Sequence, residues 1–227
     1  MLRMEIALFL VMFLISNIYF SAERRQTELH RTFSLLLILV QANLVFDGAT
    51  VYTVNHLEQV PDFLNAFLHR CFIGTLIGAV FLFYRYIAIL VQTETGKIGR
   101  LDRVAQGFLI FAILWDLLLP VHYARTPEGN YSDGIQTVVC YLAVFFYLLL
   151  CVWLLLANWE RLETKQKRVI ACALSIELGV TVLQGFHPTW LISGMGITLM
   201  TLSFYLTLEN PEILRSELVE QKMSMLY

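Results

Sequence analysis

Leu191-Ile-Ser-Gly-Met-Gly-Ile-Thr-Leu-Met-Thr-Leu-Ser-Phe-Tyr-Leu-Thr-Leu208 runs without a charge and is followed at once by Glu209-Asn-Pro-Glu212. Such a run approaches the ~20 residues that a helix needs to cross a ~30 Å hydrocarbon layer, and Glu209 and Asn210 mark where the bilayer ends. Pro211 suits the first turn of a new helix, where its missing N–H has no partner to lose. Glu212 then lies at the positive end of that helix. Leu214, Leu218, Gln221 and Met225 follow at spacings of four, three and four, the a/d seam of a short coiled coil with one polar member. The seam is still short of three heptads at Tyr227, so the expectation is a connector helix severed from an output domain.

Composition agrees with the membrane reading. The 227 residues are 58% hydrophobic and 15% charged, with mean hydropathy +0.66, outside the range of ordinary water-soluble domains. Working back from residue 208, apolar stretches fall at about 4–20, 32–54, 63–91, 104–123, 134–157, 169–186 and 190–208. The expected fold is an all-α membrane protein: a seven-transmembrane-helix bundle over 1–208 and a cytoplasmic connector helix over 209–227. The first stretch is followed by Asn17-Ile-Tyr-Phe-Ser-Ala-Glu-Arg-Arg25 rather than by a small-residue cleavage site, so it is expected to stay as a helix. Cys71, Cys140, Cys151 and Cys172 sit in apolar stretches without a Cys-x-x-Cys spacing and read as packing residues, with a Cys71–Cys140 disulfide open.

The basic residues give an orientation. One set of connections and the tail holds Arg24, Arg25, Arg31, Lys97, Arg100, Arg103, Arg161, Lys165, Lys167, Arg168, Arg215 and Lys222, and the other holds Arg3 and Arg125. Twelve against two places the N-terminus outside and the tail in the cytoplasm of a multi-pass protein of the cell membrane. The connections are short, including the polar, turn-rich Arg125-Thr-Pro-Glu-Gly-Asn-Tyr-Ser-Asp-Gly134, so detection of any ligand falls to the membrane domain itself.

Tyr205-Leu-Thr-Leu-Glu-Asn-Pro-Glu212, closing a set of membrane helices, resembles the membrane-to-cytoplasm junction of bacterial signalling receptors that carry a histidine kinase or a diguanylate cyclase. Glu220-Gln-Lys-Met-Ser-Met-Leu-Tyr227 is similar to the helix before the phospho-acceptor motif of LytS-type sensor histidine kinases. The phospho-acceptor motif, the nucleotide-binding boxes and the cyclase signature are absent from these residues, and the resemblance covers about the last thirty of them. It implies a sensor domain for a small ligand, coupled to a cytoplasmic kinase or cyclase; the seam at Leu214, Leu218, Gln221 and Met225 adds the expectation of a homodimer in the full-length form, and no nucleic-acid partner is expected. No catalytic residue, metal ligand or cofactor is assigned.

Ionisable groups inside membrane helices cost ~2.5–3.5 kcal/mol each on insertion scales and call for a partner or a purpose. Asp47 shares a face with Asn43 and Thr50, Arg70 stands beside His69, Asp116 shares a face with Tyr123, and Glu177, Thr181 and Gln184 form one stripe. Counted from the expected ends, Asp47, Arg70, Asp116 and Glu177 lie in the outer half and are expected to meet. They either lock the bundle through ion pairs to Arg70 or line an outward-opening ligand pocket with Asn43, His69 and Gln184. Arg85, between Tyr84 and Tyr86 near the inner end, is expected to snorkel. His56, His69, His122 and His187 lack paired-ligand spacing and read as interfacial residues more readily than as zinc ligands. A zinc hydrolase acting on lipids is the competing enzyme class. A transporter fits less well, since no inverted repeat is visible, and a retinal protein is excluded because the seventh stretch has no lysine.

The orientation is checked by single cysteines at Glu128 and Lys165. An impermeant thiol reagent applied to intact cells should label position 128 and spare position 165, and labelling at 165 overturns it.

Overall fold

The computed structural model describes residues 2–22, 27–95, 99–127 and 129–210. Pro211, Leu214, Leu218, Gln221 and Met225, and with them the expected connector helix, lie outside the described residues.

Apolar helices joined by short polar links build the chain: α1 (Leu2–Ser21), α2 (Glu28–Asn55), α3 (Asp62–Thr95), α4 (Gly99–Leu118), α5 (Ile135–Ala157), α6 (Thr164–Phe186) and α7 (Ser193–Phe204). Of these α1, α2, α3, α5 and α6 are long and apolar enough to cross a membrane. The chain is an all-α membrane protein in that sense. α4 carries Arg100, Asp102, Arg103 and Asp116 in 20 residues, and α7 has 12 residues extended by a wide π-helical turn over Tyr205–Glu209. Large apolar side chains such as Phe63, Leu118 and Phe186, 82%, 79% and 78% exposed, form the outer surface, as lipid contact requires.

Polar side chains set several helix ends. Thr27 caps α2 by accepting from the His30 N–H, and Glu163 and Gln166 form a reciprocal capping box at the start of α6. The fourth apolar stretch was expected to run as helix to residue 123. Instead α4 stops at Leu118, and the turn-rich loop is an antiparallel hairpin of β1 (His122–Thr126) and β2 (Gly129–Asp133), with Tyr123 opposite Ser132. Tyr123 therefore does not share a helix face with Asp116. Asn130 Nδ2 donates to the Val54 carbonyl at 2.9 Å and ties the hairpin to the end of α2. Gly134, with φ +112°, turns the chain from β2 into α5, a conformation that suits glycine.

The most extensive helix contact is between α2 and α3. Asn43, fully buried, donates to the Phe72 carbonyl at 3.0 Å and to Thr75 Oγ1 at 3.1 Å across it. At the other end of the bundle, near the tail, Phe204 packs edge-on against Phe83 and Tyr86, with ring centroids 4.6 and 5.3 Å apart, and Phe33 continues the cluster. Arg85 pairs with Asp102 of α4 and, at 2.7 Å, with the exposed Glu28 of α2, both in the first turns of their helices, joining three helices. The glycines of Gly74-x-x-x-Gly78 serve two neighbours: a Cβ at 74 would meet Asp116 and Ile113 of α4, and one at 78 would meet Leu39 of α2. All four cysteines are free thiols.

Replacing Asn43 by Leu removes two interhelical hydrogen bonds, each worth ~0.6 kcal/mol in membrane proteins. Unfolding in detergent should show a loss of about 1 kcal/mol, and an unchanged midpoint would mean that the α2–α3 contact is held by apolar packing alone.

Candidate functional site

At the hairpin end of the bundle, α3, α5, α6 and α7 enclose a cavity to which β2 contributes Ser132. Phe72, Ile73, Leu76 and Val144 give it apolar walls, and Glu177, Thr181, Gln184, Thr137 and Ser193 bring polar groups. Its interior holds about 60 Å³ of water-accessible volume. One water takes ~10–15 Å³ on that scale, so the space suits a few waters or a ligand of a few heavy atoms. The stripe Glu177, Thr181 and Gln184 thus faces this cavity from α6. Glu177 is 3% exposed and its Oε2 has no hydrogen-bond partner; Ser193 Oγ is also buried without one.

Asp47, Arg70 and Asp116 do not line this cavity, so the expected convergence of four groups is not what the helices produce. The reason is the position of α3. Its residues 72, 73 and 76 face the cavity, while Arg70 and Gly74 turn towards α4 and line a separate groove with Asp116, Phe46 and Phe67. Arg70 is held there by backbone oxygens rather than by carboxylates: Nε donates to the Asp116 carbonyl at 3.3 Å and Nη2 to the Leu119 carbonyl at 3.2 Å. These acceptors lie at the negative end of α4, an end where a cation is favoured, and the Asp116 carbonyl also accepts from Gln136 Nε2 at 3.3 Å. Among the described residues, Arg70 makes no ion pair with Asp47, Asp116 or Glu177. The Asp116 carboxylate accepts from Gln136 Nε2 of α5 at 2.6 Å.

His69 is 3% exposed, neither ring nitrogen has a hydrogen-bond partner, and its ring meets Tyr123 edge-on at 5.8 Å. Burial pushes the Tyr123 phenol up to about 12, against the opposing pull of Arg70, so it stands as a neutral donor. Of the other histidines, His56 stacks on Tyr52 and His187 on Trp190. Among the described residues, no three His, Cys, Asp or Glu side chains are grouped to hold a metal ion.

The third part of the arrangement is α7, whose small residues make room for the acids of its neighbours. A Cβ at position 194 would collide with Asp47 Oδ2, and one at 196 would lie 2.6 Å from Glu177 Oε2 and 3.0 Å from Val180 Cγ1. The two glycines let α7 close over a buried carboxylate of α2 and another of α6. Asp47 also faces a residue that sequence reasoning passed over, Glu5 of α1, which is 3% exposed. The signal was available: an acid inside the first apolar stretch.

At the tail end, Glu209 is 1% exposed instead of facing water, accepting from Tyr86 Oη at 2.7 Å and meeting His30 Nδ1 at 2.9 Å. His30 was likewise passed over, since its place before the second apolar stretch gave no hint of a partner 179 residues away. Asn210, the last described residue, is half-buried.

No protein-family model matches the chain, and no curated protein matches it either.

Gly196→Ala forces Glu177 or Val180 to move and should lower stability by ~1–3 kcal/mol, as overpacking does. Gly179→Ala, on an open face of α6 with nothing within 4 Å of the added Cβ, should be neutral or stabilising. Thermal unfolding of the two variants side by side checks this, and equal midpoints would remove the packing role assigned to Gly196.

Proposed function

We propose that the chain is a membrane-embedded sensory module. A small ligand occupies the cavity lined by Glu177, and α7 carries its state to residues 209–227 and on to a cytoplasmic histidine kinase. One observation supports this reading above the rest: α7 meets the cavity at its start through Ser193, lies against Glu177 at Gly196, and leads at its far end into a buried Glu209 held by Tyr86 and His30. A helix in contact with the ligand space at one end and latched at the other is placed to convert occupancy into movement. Two packings that differ by a few kcal/mol suffice for such a switch.

In this reading α4 and α7 also cross the bilayer, giving seven spans with the N-terminus outside, and the basic residues of the connections support that direction. The full-length protein works as a homodimer whose connector helices meet at Leu214, Leu218 and Met225, with Glu209, Asn210 and Pro211 as the junction. The zinc-hydrolase alternative has no grouped ligand set among the described residues.

The reading is tested in the full-length receptor, with Cys71, Cys140, Cys151 and Cys172 replaced and single cysteines placed at Leu218 and Met225. Disulfide crosslinking should be strong at these two positions, weak on the opposite helix face, and sensitive to Glu209→Gln. Equal crosslinking on every face, or none, overturns the proposed output path.

A further inference from the structure

The chemistry of the cavity says which ligands it suits. Its polar inventory is one carboxylate, the hydroxyls of Ser132, Thr137, Thr181 and Ser193, the Gln184 amide and the phenol of Tyr141. No Lys, Arg or His among the described residues lines it. Among the described residues Glu177 has no base to answer it, and its Oε2 lacks even a hydrogen bond, although the side chain is almost fully buried. A buried carboxylate in that position is costly unless a donor, and best a cationic donor, is brought to it. Ser193 of α7, whose Oγ is equally unpartnered, also lines the cavity.

The rest of the lining limits the ligand further. Ile73, Leu76, Val144 and Val180 offer only apolar contact, and Phe72 and Tyr141 present aromatic rings of the kind that attract ammonium groups. An anion would meet a carboxylate and no positive charge. A sugar or a nucleotide would exceed the volume and leave its hydroxyls facing aliphatic walls.

We propose that the cavity is a site for a small primary amine, bound as its ammonium form, with the –NH₃⁺ group donating to Glu177 and to hydroxyls that include Ser193, and a short alkyl chain against Phe72, Ile73 and Val180. This deepens the sensory reading and rests on it for its biological meaning, although binding can be measured without it. Glu177 belongs to α6 and Ser193 to α7, so an ammonium between them bridges the two helices. The amine is thus a bond between the helix that carries the charge and the helix that leads to the tail.

The experiment uses the purified chain in lipid nanodiscs and n-propylamine as the probe, with n-propanol and propionate as neutral and anionic matches of similar size. Propylamine should raise the thermal midpoint saturably, and the other two should have little effect at the same concentration. Glu177→Gln, which keeps the shape and removes the charge, should weaken the apparent affinity roughly 10-fold or more, and Ser193→Ala by a few-fold. If Glu177→Gln is not recovered folded, the three probes on the unaltered chain still decide the matter. Equal effects of amine and alcohol, no saturable effect of the amine, or full affinity in Glu177→Gln would each overturn the proposal. The two readings fail separately. Amine binding with no face preference in the Leu218 and Met225 crosslinks removes the output path and keeps the site, and face-specific crosslinks without amine binding do the reverse.

Discussion

Two buried carboxylates rest against a helix that has no side chains where they touch it, and the bundle is arranged around that contact. Asp47 from α2 and Glu177 from α6 approach α7 at Gly194 and Gly196, where a single added carbon would collide with their oxygens. In hydrocarbon surroundings there is little hydrophobic force between helices, so close backbone approach and polar contacts must supply the association. α7 is built for this, with Thr198 and Thr201 buried and bonded back to the carbonyls of Gly194 and Ile197. These two hydroxyls are satisfied within the helix itself and, among the described residues, make no hydrogen bond to a neighbouring helix.

Much of the architecture was legible because it depends on composition and period alone. The apolar stretches became helices, with five of them long enough to span, and the stripe Glu177, Thr181 and Gln184 turned to one side of α6 as its spacing requires. What could not be read was the position of α3. Counting depth from helix ends put Asp47, Arg70, Asp116 and Glu177 at one level, but depth says nothing of azimuth, and α3 stands between the last two. Arg70 shows a second limit. A guanidinium was matched to carboxylates because these are visible in a sequence, whereas the carbonyls that hold it, at Asp116 and Leu119, belong to the backbone and exist as acceptors only where α4 ends.

The hairpin was missed for a related reason. Residues 125–134 are rich in turn formers, and only the pairing of Tyr123, Ala124 and Arg125 with Ser132, Tyr131 and Asn130 makes strands of them. Strand pairing is a property of two segments, and neither has enough alternation to declare itself. The His30–Glu209 contact is non-local in the same way.

The wide turn at Tyr205–Glu209 stands between α7 and the tail, and its geometry defines a unit of displacement. A π-helical turn holds one residue more than an α-turn over nearly the same height. Were it to tighten to α geometry, the chain beyond it would advance by one register step: about 100° of rotation and ~1.5 Å of rise. Rotation of that size exchanges one face of a helix for another. In the sensory reading proposed above, a two-position ratchet of this kind would give a discrete output from a small movement, with no need for a graded push along the bundle.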